Sequence, residues 1–405
     1  MIGAPMHSPR LAARLSYVAL FAAVGASFPY VSVFYQDRGL DLASIGLMTA
    51  LGSAAGLVAA PVWGTLADRF AGSPLVIPVA ALIAAAGAVG LALSDSVLGM
   101  ALAFALMSAS FAGIGPTLDA RALDTVGSDR NRYGGLRAWG SASFIVVVAF
   151  TGALIERAGP ASLFAVYVAM MLALAVVSLP LRGDRSGPRL PRLSAIGVVL
   201  RHRPVARFLP AVLLVWSASM AINWYFSIHL LELGAPGELV GSAWAIGALV
   251  EIPIMAAYPW LAARVGGGRL LVIGAGAFAL RALLLLVVSD PLLAASTMVI
   301  HGVGFALVLV GGVTFVSRNA PEATAATAQG ILSATVYGVA LIIGPGVGSW
   351  VADQFGVSAL FGVALVGSLV GIPLLWLASR GHGPEREATA AVTAPSLATQ
   401  ADPER

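Results

Sequence analysis

The chain has 405 residues, 59% of them hydrophobic and only 10% charged, with a formal net charge of +4. About a quarter of the residues of a water-soluble domain are charged, so most of this exterior must face something other than water, and the bilayer is the candidate. Cysteine is absent, which excludes disulfides, thiolate metal sites and cysteine nucleophiles. The basic residues are all arginines spread over polar loops, a pattern that fits membrane-flanking segments better than nucleic-acid binding.

Apolar runs near the length a helix needs to cross the hydrocarbon recur along the whole chain. They predict spans over roughly 14–36, 45–64, 74–93, 97–118, 137–156, 161–181, 206–231, 240–262, 269–288, 291–315, 325–350 and 357–379. The runs lack the period-two alternation of barrel strands, and backbone in lipid must satisfy its own hydrogen bonds, so helices are expected. The first run is too long for a cleavable leader and more spans follow it. The fold class is therefore an all-α membrane protein of twelve transmembrane helices.

Span one carries Tyr17, Tyr30 and Tyr35 with Pro29 as a candidate kink, and Pro253 and Pro345 are similar candidates further on. Residues 182–204 form the longest polar connection and read as a linker, in part an amphipathic surface helix. Span seven holds Asn223, Trp224, Tyr225 and Phe226, followed by His229. This cluster either lines a cavity for a ring-shaped solute or belongs to an aromatic belt at the membrane edge. Glu251, Arg281 and His301 each lie inside an apolar span, where a charge is costly unless paired or neutralised. Together they suggest a proton relay in which Arg281 tunes Glu251, or else a hydrogen-bonded cluster that never changes protonation. From about Gly381 the tail is rich in Ala, Pro and Thr and is expected to be disordered.

Loop charge sets the orientation. With the N-terminus in the cytoplasm, the cytoplasmic segments hold Arg10, Arg14, Arg69, Arg121, Arg130, Arg132, Arg137, the arginines from Arg182 to Arg207, Arg264, Arg269, Arg318 and those of the tail. The opposite side holds only Arg38 and Arg157. Positive residues concentrate on the cytoplasmic side of membrane proteins, so both termini are expected there, in a bacterial cytoplasmic (inner) membrane.

The chain also repeats. A shift of 195 residues lays 30–72 over 225–267 without gaps, matching Tyr30 with Tyr225, Gly39 with Gly234, Gly46 with Gly241, Gly52 with Gly247, Arg69 with Arg264 and Gly72 with Gly267. Loop glycines and a loop arginine in one register point to two related six-helix halves, expected at 1–181 and 205–380, with the linker at 182–204 and the tail at 381–405. Glu251 falls on Gly56 of the first half and Asp68 on Ala263 of the second, so both charges depart from the symmetric scaffold.

Two motifs carry a resemblance. Gly64-Thr65-Leu66-Ala67-Asp68-Arg69-Phe70 resembles the major facilitator signature G-x-L-A-D-R-x-G, although Ala71 and Gly72 displace the later glycine. It implies a gating role for Gly64, Asp68 and Arg69, with Gly64 allowing a tight helix exit and Asp68 capping a helix or pairing with an arginine when the cytoplasmic side closes. Tyr133-Gly134-Gly135-Leu136-Arg137-Ala138-Trp139-Gly140-Ser141 resembles the Y-G-x-x-R-x-W-G-S segment of the phenylpropionate permease group and is similar to that of lactose permease. Upstream, Pro116-Thr117-Leu118-Asp119 parallels a Pro-x-x-acid run of the same transporters. The resemblance implies solute binding by Asp119 and Arg137, with Phe144 as a stacking aromatic, although an Asp stands where lactose permease has the longer Glu. Read without the resemblance, Asp119 and Arg137 are interfacial residues snorkelling to water. The resemblance also matches Arg281 and His301, but it places Gly304 at the position of the proton-carrying acid, leaving Glu251 or His301 for that task.

No Walker loop, metal-spaced cluster or nucleophile elbow occurs, so neither a cofactor nor catalysis is expected. The expected function is secondary transport, as proton-coupled symport of a sugar, nucleoside or aromatic carboxylate by alternating access. A proton-driven efflux antiporter for hydrophobic compounds is the alternative on the same fold, and a transport-inactive receptor would leave Glu251, Asp119 and Arg137 dispensable. One chain supplies both halves, so the monomer is expected to suffice.

Overall fold

The computed structural model describes residues 8–126, 131–183, 193–321 and 324–380. Among them eleven helices are long and apolar enough to cross a membrane, and a twelfth, Ser162–Val177, is apolar but shorter. In chain order these are α1 (Pro9–Asp37), α2 (Leu42–Arg69), α3 (Val76–Leu93), α4 (Val97–Val126), α5 (Gly134–Ala158), α6 (Ser162–Val177), α7 (Arg203–Glu232), α8 (Gly237–Val265), α9 (Gly267–Val287), α10 (Pro291–Asn319), α11 (Ala325–Phe355) and α12 (Val357–Ser379). The expected spans are all present. The expected linker divides into a short helix, Leu193–Arg201, and the first turn of α7, while 184–192 and the tail from 381 lie outside the described residues.

Polar residues at the span ends fix where the helices start. Ser8, Asp41, Ser96 and Asp290 each accept a hydrogen bond from the backbone N–H three residues on, satisfying a donor that the first helical turn leaves free. Several helices run past their apolar stretch because backbone pairing continues into water. α2 continues to Arg69, so Gly64 lies inside the helix and makes no helix exit, contrary to expectation. α6 stops short of its expected end, since Pro180 disfavours helical backbone in the residue before it. Pro29 sits in the break between Ser27 and Val31 of α1, whereas Pro253 and Pro345 are accommodated inside continuous helix. Thr335–Val339 forms a π-helical turn in the middle of α11 that the sequence did not announce.

The helices pack as two sets. α1 lies against α5 and α6, α3 against α4 and α6, and α2 against α4. In the second set α9 lies against α10 and α12, α7 against α11 and α12, and α8 against α10. The repeat is visible in the backbone, since Gly39 and Gly234 occupy the same left-handed conformation (φ 78° and 84°) at the end of α1 and of α7. Large apolar side chains such as Val58, Leu93 and Val287 are more than 70% exposed on the outside of the bundle, an area of apolar surface that only lipid would cover.

The main contacts between the sets among the described residues are α5 with α8, α2 with α11, and the last turns of α1 with α7. They begin at the end of the bundle remote from Ser8 and Arg380. There α5 and α8 cross backbone to backbone, with the Gly152 and Gly237 carbonyls in each other's way should either residue carry a side chain. Glu156 of α5 accepts from the N–H of Gly237 at the start of α8, and Gln36 donates to Glu232 at 3.3 Å. On the other seam Gly46 of α2 nests against Ser349 of α11. The seam ends near the middle of the bundle, where Leu57 meets Gly338. Towards the end bearing the termini the two sets share no further packed helix pair among the described residues, which leaves an opening between them.

Candidate functional site

The space between the diverging sets is where the predicted residues of the first set converge. α1 lies along α5 in a large-on-small register: Phe21 of α1 fills the room left by Gly140 of α5, and Phe144 of α5 lies over Gly25 of α1. One turn towards the open end, Tyr17 donates to Asp119 of α4 at 2.6 Å. Arg137 of α5 reaches the other oxygen of Asp119 at 3.4 Å, and its guanidinium lies 5.7 Å from the Phe21 ring centre. The Arg137 and Asp119 side chains are 50% and 35% exposed, so the pair lies on the wall of the opening and not in the core. The expected association of Asp119 with Arg137 is therefore present. Phe144 is half-buried two turns deeper.

In the second set Arg281, His301 and Asn223 are almost wholly buried. One terminal nitrogen of Arg281 donates to Asn223 Oδ1 at 2.6 Å and to His301 Nδ1 at 3.2 Å, the other meets Met298 sulfur at 3.2 Å, and Phe226 covers the guanidinium at 4.7 Å. A guanidinium has no acceptor, so a neutral His301 carries its proton on Nε2. Asn223 Nδ2, also a donor, then makes no hydrogen bond across the 3.5 Å that separates it from that nitrogen. Arg281 makes no ion pair among the described residues. The expected pairing of Arg281 with Glu251 is not formed, because Arg281 turns inward to α7 and α10.

Glu251 instead is half-buried, with no ion pair among the described residues. Tyr337, carried by the π-helical turn of α11, is about half exposed and lies within electrostatic reach of both Glu251 and Arg137. Tyr337 thus stands between two charges from opposite sets, and nothing in the sequence marked it out. Extra backbone turns of this kind occur often at functional sites, but they leave no mark in a run of apolar residues.

The aromatic cluster of α7 divides. Trp224 is edge-on to Phe28 of α1 at 5.7 Å, and Trp244 of α8 meets the other side of Phe28 at 5.6 Å, so three rings from both sets close the inner end of the opening. Tyr225 turns away and donates to the Leu42 carbonyl at 3.2 Å, placing it in the closed seam. His229 packs edge-on to Phe361. At the open end Asp68 and Arg69 are exposed in the last turn of α2, with the Arg69 guanidinium over Phe70 at 5.7 Å. Asp68 caps no helix, and it makes no ion pair among the described residues. Arg121, counted above with the loop charges, is buried and ties α4 to the Leu181 and Ser73 carbonyls at 3.0 and 2.9 Å.

Residues 11–363 match the model of the MFS_1 like family. The chain belongs to this family of major facilitator transporters. It is 30% identical to the maltose permease of Geobacillus stearothermophilus over 371 residues, covering 90% of this chain and 93% of the permease. The probable 3-phenylpropionic acid transporter of Escherichia coli is 26% identical over 277 residues, 64% of this chain and 70% of that one. In structure the bundle resembles the nucleoside transporter NupG, with a TM-score of 0.79 over 91% of this chain and 98% of that chain at 18% identity. This major facilitator protein is thus an integral membrane transporter and not an enzyme.

Proposed function

We propose that this transporter is a proton-coupled symporter of a small hydroxylated solute, with a sugar as the first candidate and nucleosides or aromatic carboxylates as the others. The observation that carries the reading is the Asp119–Arg137 pair, held on the wall of the opening, with Tyr337 of the other set within electrostatic reach both of Arg137 and of Glu251, which makes no ion pair among the described residues. An acceptor and a guanidinium donor side by side suit a vicinal diol, which offers one donor and one acceptor at matching spacing. Phe144, Trp224 and Phe28 supply apolar faces deeper in the pathway for the ring of the solute. The maltose permease relative favours a sugar. Glu251 takes up and releases the proton, while Arg281, His301 and Asn223 hold the wall behind it. The arginine distribution supports placing both termini in the cytoplasm of a bacterial cell, so the conformation described here opens inward. Asp68 and Arg69 act when that side closes, and a single chain suffices for the cycle.

The test is proton movement in proteoliposomes containing the purified protein. Maltose, uridine and 3-phenylpropionate are added in turn outside, and internal pH is followed with a trapped dye. Acidification with one of them, lost in Glu251→Gln, supports symport and names the solute class. No response to any of the three, together with proton release when a hydrophobic cation is pumped, would overturn the reading in favour of an efflux antiporter.

A further inference from the structure

The Asp119 carboxylate is short for its task. Its β-carbon starts on α4 while its partner Arg137 is on α5, and the contact between them is a single long one at 3.4 Å. An aspartate side chain turns freely about its last bond, a broad two-fold rotor, and a half-exposed carboxylate would spend most of that freedom on water. What prevents this here comes from a third helix. Tyr17 is 1% exposed, its ring set in α1 beside Phe21 with the centroids 6.5 Å apart, and its hydroxyl donates to Asp119 Oδ1 at 2.6 Å. A hydroxyl-to-carboxylate bond of that length is charge-assisted and among the stronger kinds.

We propose that Tyr17 is a positioning residue for solute recognition: by engaging one oxygen of Asp119 it aims the other, Oδ2, at Arg137 and into the pathway. The inference rests on the proposed role of Asp119 and Arg137 in solute binding and adds the residue that makes an aspartate workable there. Two consequences follow. With Oδ1 accepting from Tyr17 and Oδ2 from Arg137, a solute hydroxyl donating to this edge is aimed at the remaining lone pair of Oδ2 while Arg137 donates to its neighbour. And the space that an additional methylene would need is occupied by the Tyr17 hydroxyl, so aspartate and tyrosine at these positions depend on one another.

The second consequence separates positioning from mere packing. Tyr17→Phe keeps the ring and the α1–α5 register, and the Asp119 oxygen it abandons is partly exposed to water, so the fold is retained. Loss of one charge-assisted hydrogen bond that orders a ligand group lowers affinity by about ten-fold. Asp119→Glu alone drives its longer side chain against the Tyr17 hydroxyl and weakens binding to a similar degree. Tyr17→Phe with Asp119→Glu removes that hydroxyl and lets the longer carboxylate reach Arg137 directly, so the double variant binds better than either single one. Such non-additivity is expected only of residues acting through one another.

The experiment measures binding and transport of radiolabelled maltose, uridine and 3-phenylpropionate by the full-length protein, using whichever the wild type binds. The expected result is a KM raised about ten-fold by Tyr17→Phe, with kcat within about two-fold, and recovery of at least half of that loss in the double variant. A wild type that binds none of the three refutes the proposed function and this inference with it. A wild type that binds one of them, with a Tyr17→Phe variant of unchanged KM or a double variant no better than the singles, refutes the inference alone.

Discussion

Gly152 is the residue through which the closed seam is most directly tested. A β-carbon there would collide with the Gly237 carbonyl oxygen of α8 and lie 2.7 Å from the Tyr30 hydroxyl and 3.1 Å from Gly241 Cα. Carbon atoms settle at about 3.5 to 4.0 Å from their neighbours, and two of these obstacles are backbone that cannot rotate aside. Gly152→Ala therefore forces α5 and α8 apart, at the cost of about 1–3 kcal/mol typical of an overpacked contact. The cost falls only on the conformation in which these helices touch. Under the proposed alternating access they part in the opposite conformation, so the ratio of the two shifts by about 5- to 150-fold towards it. The chain has no cysteine, so Gln36→Cys and Glu232→Cys, whose native side chains meet at 3.3 Å across the seam, take spin labels cleanly. Pulsed electron–electron resonance should then show a short distance in the parent and a second, longer population in Gly152→Ala. Gly362→Ala, where an added β-carbon meets nothing within 4 Å, is the control and should leave the distribution alone. An unchanged short distance in Gly152→Ala would mean that the α5–α8 crossing is not a moving contact.

The remaining predictions concern the pathway. Glu251→Gln keeps the volume and removes the titrating group, so uphill accumulation in proteoliposomes should vanish while exchange of solute across the membrane persists; normal accumulation would remove Glu251 from the coupling. Arg137→Ala should raise the KM for the transported solute by ten-fold or more, since it deletes a charged donor from the wall of the opening; an unchanged KM would return Arg137 to a purely interfacial role. Asn223→Ala takes the 2.6 Å acceptor from the buried Arg281 and should cost about 1–3 kcal/mol of stability, read as a lower thermal midpoint of the purified protein; an unchanged midpoint would show that another acceptor replaces it.

The number and order of helices were legible because hydrocarbon thickness imposes one length on every span. What the sequence could not supply was the direction in which each helix turns its faces. A span in lipid is apolar all round, so the amphipathic stripe that orients a helix in a soluble protein is missing. That is why Tyr225 and Asn223, two residues apart, end in different places: one in the seam against Leu42, the other in the wall beside Arg281. It is also why Arg281 and Glu251 looked like partners and are not. Asp119 and Arg137 were legible as a pair through the motif that contains Arg137, whereas Tyr17, 102 residues away from Asp119, was legible only as one of three tyrosines on span one and not as the partner of Asp119. Gly64 was misplaced for a different reason, since hydropathy falls where α2 leaves the lipid while its hydrogen bonds continue to Arg69.

The two sets share a scaffold but not their charges, and the difference has mechanical meaning. Tyr30 and Tyr225 match in the repeat and both bond backbone carbonyls near the closed seam, Tyr30 at Val148 and Tyr225 at Leu42. Under the proposed alternating access these are the parts that a rocking motion uses on both sides, and symmetry keeps them alike. Glu251 carries a charge where its repeat counterpart Gly56 has no side chain, and Asp68 stands where its counterpart is Ala263. Under the proposed function the first set supplies the polar contacts to the solute and the second supplies the site that changes protonation. Rotation of one set against the other then alters the environment of Glu251 and of the Asp119–Arg137 pair together. A half-buried carboxylate placed on the half that does not hold the polar pair is the simplest way to make one movement report on both.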